Sequence, residues 1–151
     1  MKASGRKWEI MNSTFFGTYN RTLDEKNRLS IPSKIRNLLT DKIYALKGFE
    51  NCISLYNESE FEKLNEKLNS YSFNQSSQRA FIRSIYASIC EFEIDKVNRI
   101  SIPVEMINKY ALEKDVVIVG SGNHIEVWSK KLWEDYIAKA DKDFEKNAEG
   151  F

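Results

Sequence analysis

Arg28 and Arg99 each follow an aspartate by four residues, Asp24 and Asp95, and the two pairs lie 71 residues apart (99 − 28). A guanidinium offers a planar fork of donors that fits guanine O6 and N7, or two phosphate oxygens. The bland alternative is an ion pair that only stitches its own turn. A third chemistry, two aspartates sharing one proton as in an aspartic protease, is disfavoured, because an arginine four positions on favours the ionised carboxylate. The sequence has no Gly-rich phosphate loop, no Ser/Cys–His pair and no metal cluster. The chain therefore reads as a binding protein, with no catalytic residue, metal, cofactor or small-molecule substrate.

The elements that must hold these arginines are themselves duplicated. Asp24-Glu25-Lys26-Asn27-Arg28-Leu29-Ser30-Ile31-Pro32 returns as Asp95-Lys96-Val97-Asn98-Arg99-Ile100-Ser101-Ile102-Pro103, with both prolines of the chain in register. Chance does not explain this, so the chain is an internal repeat. Each aspartate opens a turn, where its carboxylate accepts backbone N–H groups. Asn27 and Asn98 fall where the turn needs a positive φ, which Asn tolerates best after Gly. A strand follows, with Leu29 and Ile31 on one face and Arg28 and Ser30 on the other. Each proline then stops the strand and opens a short helix, expected over 33–39 and 104–110.

Upstream, Phe15–Leu23 reads as the first strand of a hairpin running into the turn at Asp24, with Tyr86–Ile94 as its counterpart. Downstream, each copy has a second hairpin. Lys42–Lys47 leads through a loop at Gly48 to Cys52–Tyr56, and Val116–Val119 leads through a loop at Gly120 to His124–Trp128. Matching Gly48 to Gly120 gives an offset of 72 (120 − 48). An amphipathic helix ends each copy. Asn57 or Ser59 is expected to cap the first and Ser129 the second, whose apolar stripe runs from Leu132 and Trp133 through Tyr136, Ile137 and Ala140 to Phe144. A Ser/Asn/Gln-rich link near residue 75 and a helix around Phe81, Ile82 and Ile85 join the copies. The order expected is ββαββα, helix, ββαββα. Two such thin units, each with exposed sheet edges, are expected to share a single sheet or barrel about a pseudo-two-fold axis.

Net charge over the whole chain is only +1, yet residues 1–36 hold eight Lys/Arg against three Asp/Glu. That basic end carries the first motif, and cations held there suit a polyanion. Arg21, Lys26, Lys34 and Lys96 join the two arginines as candidate DNA contacts. The second copy is poorer, with Val97 for Lys26, Glu105 for Lys34 and Ile107 for Arg36, so the first copy is expected to dominate affinity. Cys52 and Cys90 form no C-x-x-C and no disulfide framework. His124 stands where Cys52 stands in the first copy, which points to packing. No membrane span and no signal peptide are evident, so a cytoplasmic location is expected.

The doubled D-x-x-x-R-[LI]-S-I-P, the lead-in Phe15-x-Gly17-x-Tyr19, Arg79-x-Phe81-x-Arg83 and Gly120…Glu126-x-Trp128 resemble the MraZ family over about residues 14–137. What the resemblance implies is an α+β fold, mostly β with short helices. Two tandem AbrB-like swapped-hairpin units would occupy 14–70 and 84–145, joined by a helix at 71–83, with flexible ends at 1–13 and 146–151. It further implies a sequence-specific, nucleoid-associated transcriptional regulator that binds direct repeats of double-stranded DNA in the promoter of its own division and cell-wall gene cluster. It also implies a homo-oligomeric ring, commonly an octamer. Carried over, the DNA-facing positions are Asp24, Lys26, Arg28, Asp95 and Arg99, with Asp24, Asn27, Asp95 and Asn98 setting the turns and orienting the arginines. The family usually has Gly where Asn27 and Asn98 stand, and its members begin close to the Phe-x-Gly segment, so residues 1–12 read as a loosely held extension. The rival reading is a ring-forming or antitoxin-like module whose chief partner is another protein.

Overall fold

The computed structural model describes residues 14–151, and the extension expected at 1–12 lies outside them. The first copy comprises β1 (Thr18–Thr22), β2 (Arg28–Ser30), α1 (Ser33–Arg36), β3 (Lys42–Lys47), β4 (Ile53–Asn57) and α2 (Glu58–Asn69). After the connecting helix α3 (Ser76–Ser88), the second copy runs β5 (Cys90–Glu93), β6 (Arg99–Ser101), α4 (Val104–Lys109), β7 (Asp115–Gly120), β8 (Ile125–Ser129) and α5 (Lys130–Lys142), followed by α6 (Phe144–Asn147). The expected element order is present. Tyr86, Ala87 and Ser88, read from the sequence as the start of a strand, instead form the last turn of α3. The helix after Pro32 ends at Arg36, short of the expected Leu39.

Six strands form one sheet in the order β1-β7-β8-β4-β3-β5, while β2 and β6 pair as a separate two-stranded ribbon. Exchanging the two copies reverses that order onto itself, so a pseudo-two-fold axis relates them. The axis is visible in the register. Leu29 faces Ile100 in the ribbon, and Ser54 faces Glu126 where β4 meets β8, so equivalent residues pair with each other.

β1 and β2 do not form the expected hairpin. β1 pairs with β7 of the other copy, and β5 pairs with β3. Asp24 N still donates to the Arg28 carbonyl at 3.1 Å, but beyond that bond each strand takes its partner from the other copy, β1 from β7 and β2 from β6. The expected shared sheet is present, with β1 and β5 as its two open edges instead of a closed barrel.

Register also corrects the repeat alignment. Ile43 faces Asn57 and Val116 faces Ser129, so the offset is 73 in β3/β7 (116 − 43) and 72 in β4/β8 (129 − 57). Gly120 is therefore the last residue of β7, equivalent to Lys47, and not to Gly48. A Cβ at Gly120 would lie 2.3 Å from the backbone nitrogen of Phe16, which explains why only glycine fits there.

The two sheets enclose one core. Leu29 and Ile100 from the ribbon, with Ile31 and Ile102 just beyond its strands, pack with Ile43, Leu55, Ile118 and Val127 from the six-stranded sheet, all buried. Each such side chain contributes about 1.5–3 kcal/mol by leaving water. On the outer face, α2 and α3 cover Leu46, while α5 covers Val117 and Val119 through Leu132 and Trp133. Ser129 caps α5 by accepting from Leu132 N at 3.4 Å. Asn57 does not cap α2 with its side chain, which instead accepts from Thr40 N at 2.9 Å and donates to the Leu38 carbonyl at 2.7 Å.

Candidate nucleic-acid interface

The ribbon sets Arg28 opposite Ser101 and Ser30 opposite Arg99. Because strand side chains alternate, these four share the face opposite buried Leu29 and Ile100. The two arginines are diagonal neighbours on that face, a spacing of about 7–8 Å between positions. Backbone bonds lock the ribbon across the repeat: Ile31 N donates to Asn98 O at 2.8 Å, and Ile102 N to Asn27 O at 3.0 Å. Each turn asparagine therefore extends the partner strand of the other copy.

Both turns are built alike. Asp24 Oδ1 accepts from Lys26 N (2.9 Å) and Arg28 N (2.8 Å), and Asp95 Oδ1 accepts from Val97 N and Arg99 N (both 2.9 Å). Asn27 has φ 58° and Asn98 φ 63°, the left-handed conformation expected of them. The remaining carboxylate oxygen of each aspartate takes the arginine Nε, at 2.6 Å for Arg28 and 3.1 Å for Arg99. The Arg28 backbone N–H leads the effects holding Asp24 below the usual carboxylate range, and the Arg99 backbone N–H does the same for Asp95. Two carboxyls both held ionised are the opposite of a proton-sharing dyad.

The ion pair of the bland reading is thus present, but it uses only Nε of Arg28. Among the described residues no hydrogen bond engages Arg28 Nη1 or Nη2. Its side chain keeps 30% of its exposure and that of Arg99 keeps 31%. An arginine oriented through Nε with its far edge free can grip guanine or phosphate.

The sequence-derived candidates do not all gather at this face. Lys26 and Lys96 stand exposed in the two turns beside the ribbon. Arg21 lies on edge strand β1, opposite Val116, on the half-buried side with Tyr19, and Nη1 donates to the Asn20 carbonyl at 2.9 Å. Lys34 is exposed on α1 and lines a different groove, with Phe16, Tyr19 and Leu38. Ser30 and Ser101, exposed on the ribbon face, were not singled out from sequence, although their alternation with Leu29 and Ile100 marks them. Arg36, replaced by Ile107 in the second copy, bonds to Asn98, Leu39 and Asp41 within the chain.

Elsewhere, His124 stacks on Tyr56 (4.8 Å between centroids) and its Nε2 lies 3.1 Å from Glu126 Oε2. Burial raises the Glu126 carboxyl, but hydrogen bonds from His124 and Trp128 outweigh it and leave the group below its ordinary value. Burial pushes the Cys52 thiol up to about 12, as for an inert core cysteine. These groups serve packing near the axis. Among the described residues no helix is long and apolar enough to cross a membrane.

Comparison with known proteins follows the same duplication. The family model described as "MraZ protein, putative antitoxin-like" matches residues 14–84 and again 85–150. A protein of Heliobacterium modesticaldum named transcriptional regulator MraZ is 38% identical over 135 residues, covering 89% of this chain and 94% of its own length. Proteins of the same name from Natranaerobius thermophilus and Oenococcus oeni are 39% and 42% identical over the same shares of each chain.

Proposed function

The chain belongs to the MraZ family of transcriptional regulators, and on that premise we propose that it binds double-stranded DNA through the outer face of the β2–β6 ribbon. The observation that carries this reading is the pair of arginines side by side on one ribbon face, each held by its turn aspartate through Nε. A two-stranded ribbon fits the major groove, about 12 Å wide, where a guanidinium reads guanine O6 and N7. In this account Arg28 and Arg99 contact bases, Ser30 and Ser101 make shorter polar contacts, and Lys26 and Lys96 neutralise phosphates. Arg21 and Lys34, which lie off this face, meet flanking phosphates.

The target is direct repeats in the promoter of the protein's own division and cell-wall gene cluster, which makes it a nucleoid-associated regulator. A homo-oligomeric ring, an octamer in the expected form, would align one ribbon with each repeat. Tyr136 and Phe144, 40% and 69% exposed on the apolar side of the C-terminal helices, favour self-association there. A transcriptional regulator is not an enzyme class.

Titration of the chain against a duplex from upstream of its own gene cluster, over a salt series, tests the reading. Affinity falling linearly with the logarithm of salt concentration supports phosphate neutralisation. A flat response would favour the protein-interaction alternative.

A further inference from the structure

We propose that Arg36 is a positioning residue that braces the DNA-reading turn of the opposite repeat, so that the second turn has a side-chain anchor on its asparagine that the first turn lacks. The inference rests on the DNA-binding reading of the ribbon. Arg36 closes helix α1 of the first copy, and its guanidinium makes three bonds within the chain, one of them to the exposed Asp41 carboxylate. Nε donates to Asn98 Oδ1 at 3.0 Å, Nη1 to the Leu39 carbonyl at 2.9 Å, and Nη2 to Asp41 Oδ1 at 2.7 Å. The side chain is only 20% exposed. Asn98 is the positive-φ residue of the second turn, immediately before Arg99.

The same first-copy segment also grips the other side of that turn, because Ile94 N donates to the Asp41 carbonyl at 2.8 Å. The second motif is thus held just before Asp95 by a backbone bond and just before Arg99 by a side-chain bond. Pseudo-symmetry supplies the control. Leu23 N donates to the Lys114 carbonyl at 2.8 Å, the equivalent backbone bond on the first motif. The equivalent of Arg36 is Ile107, which has no donor, and among the described residues the Asn27 side chain has no hydrogen bond. Beyond the ribbon bond that each turn asparagine makes, the second turn has two anchors of this kind and the first has one.

Three of the five N–H donors of Arg36, one on each nitrogen, are already engaged within the chain, and these bonds fix the guanidinium on the second turn. Arg36 therefore acts through Asn98 on Arg99, and does not touch DNA. Two variants test this in the full chain. Arg36→Met removes the donor, and Asn98→Gly removes the acceptor while keeping the backbone free to adopt positive φ. DNA affinity on the upstream duplex should fall about tenfold in both, with an unchanged slope of affinity against salt. Neither variant should weaken a chain already carrying Arg99→Ala.

A slope reduced by about 0.9 in Arg36→Met would make Arg36 a phosphate contact and overturn the inference. So would losses that simply add to that of Arg99→Ala, or wild-type binding by Asn98→Gly. If Arg36→Met fails to fold, Asn98→Gly alone decides. Loss of binding in Arg28→Ala alongside normal binding in Asn98→Gly would sink the brace and leave the DNA-binding reading standing. Normal binding in Arg28→Ala would sink the reading itself.

Discussion

Nη1 of Arg99 lies 4.0 Å from Oδ2 of Asp24, an aspartate of the other repeat. The same oxygen accepts Arg28 Nε at 2.6 Å, so one carboxylate faces the arginines of both copies. Asp95 has no such reach among the described residues: its ion pair is with Arg99 alone. The pseudo-two-fold is broken at the centre of the proposed interface.

Asp24→Asn should therefore reduce DNA affinity more than Asp95→Asn, by about tenfold against a few-fold, because it releases two arginines instead of one. Equal losses in a binding titration would show that the cross-repeat contact carries no weight.

Both aspartates also set a pH limit. Their folded-state values are lowered, so their contribution to the turns is complete above the ordinary Asp value of about 4 and is lost as pH falls through the lower folded values. Thermal stability should show no loss attributable to these turns between pH 7 and about 4.5, with decline below. A loss centred near neutral pH that vanishes in the Asp24→Asn/Asp95→Asn chain would contradict the assignment.

The positive φ of Asn27 predicts a specific ranking. Asn27→Gly should leave stability nearly unchanged, while Asn27→Ala should cost about 1–2 kcal/mol in denaturant melts. Equal stability of the two variants would mean that the turn relaxes out of the left-handed region.

Val97 is 58% exposed where the first copy has Lys26. Val97→Lys should tighten DNA binding and steepen the salt slope by about 0.9, as one more phosphate is neutralised. In the same framework Arg28→Ala should weaken binding more than Arg99→Ala, since Arg28 has the cationic neighbour. An unaltered slope in Val97→Lys would place that turn away from the DNA backbone.

Much of this was legible because the repeat is written twice. The doubled motif gave the turns, the two asparagines at positive φ, and the alternation that buries Leu29 while presenting Arg28. Chain exchange was not legible from hydrophobic pattern, since β1 alternates in the same way whether its partner is β2 or β7. Only register reveals that the β3/β7 offset is 73 (116 − 43), because a loop shortened after Gly120 hides a residue gained earlier. The place of Arg36 is not legible in the sequence because its acceptor Asn98 is 62 positions away, a contact that no local spacing encodes.

The double variant Arg28→Ala/Arg99→Ala tests the central claim most directly. Its circular dichroism and melting temperature should stay close to those of the unaltered chain, because both side chains lie on the ribbon's outer face. Its affinity for the upstream duplex should drop to the level it shows for unrelated DNA. A folded double variant that still prefers the upstream duplex as the unaltered chain does would contradict the account.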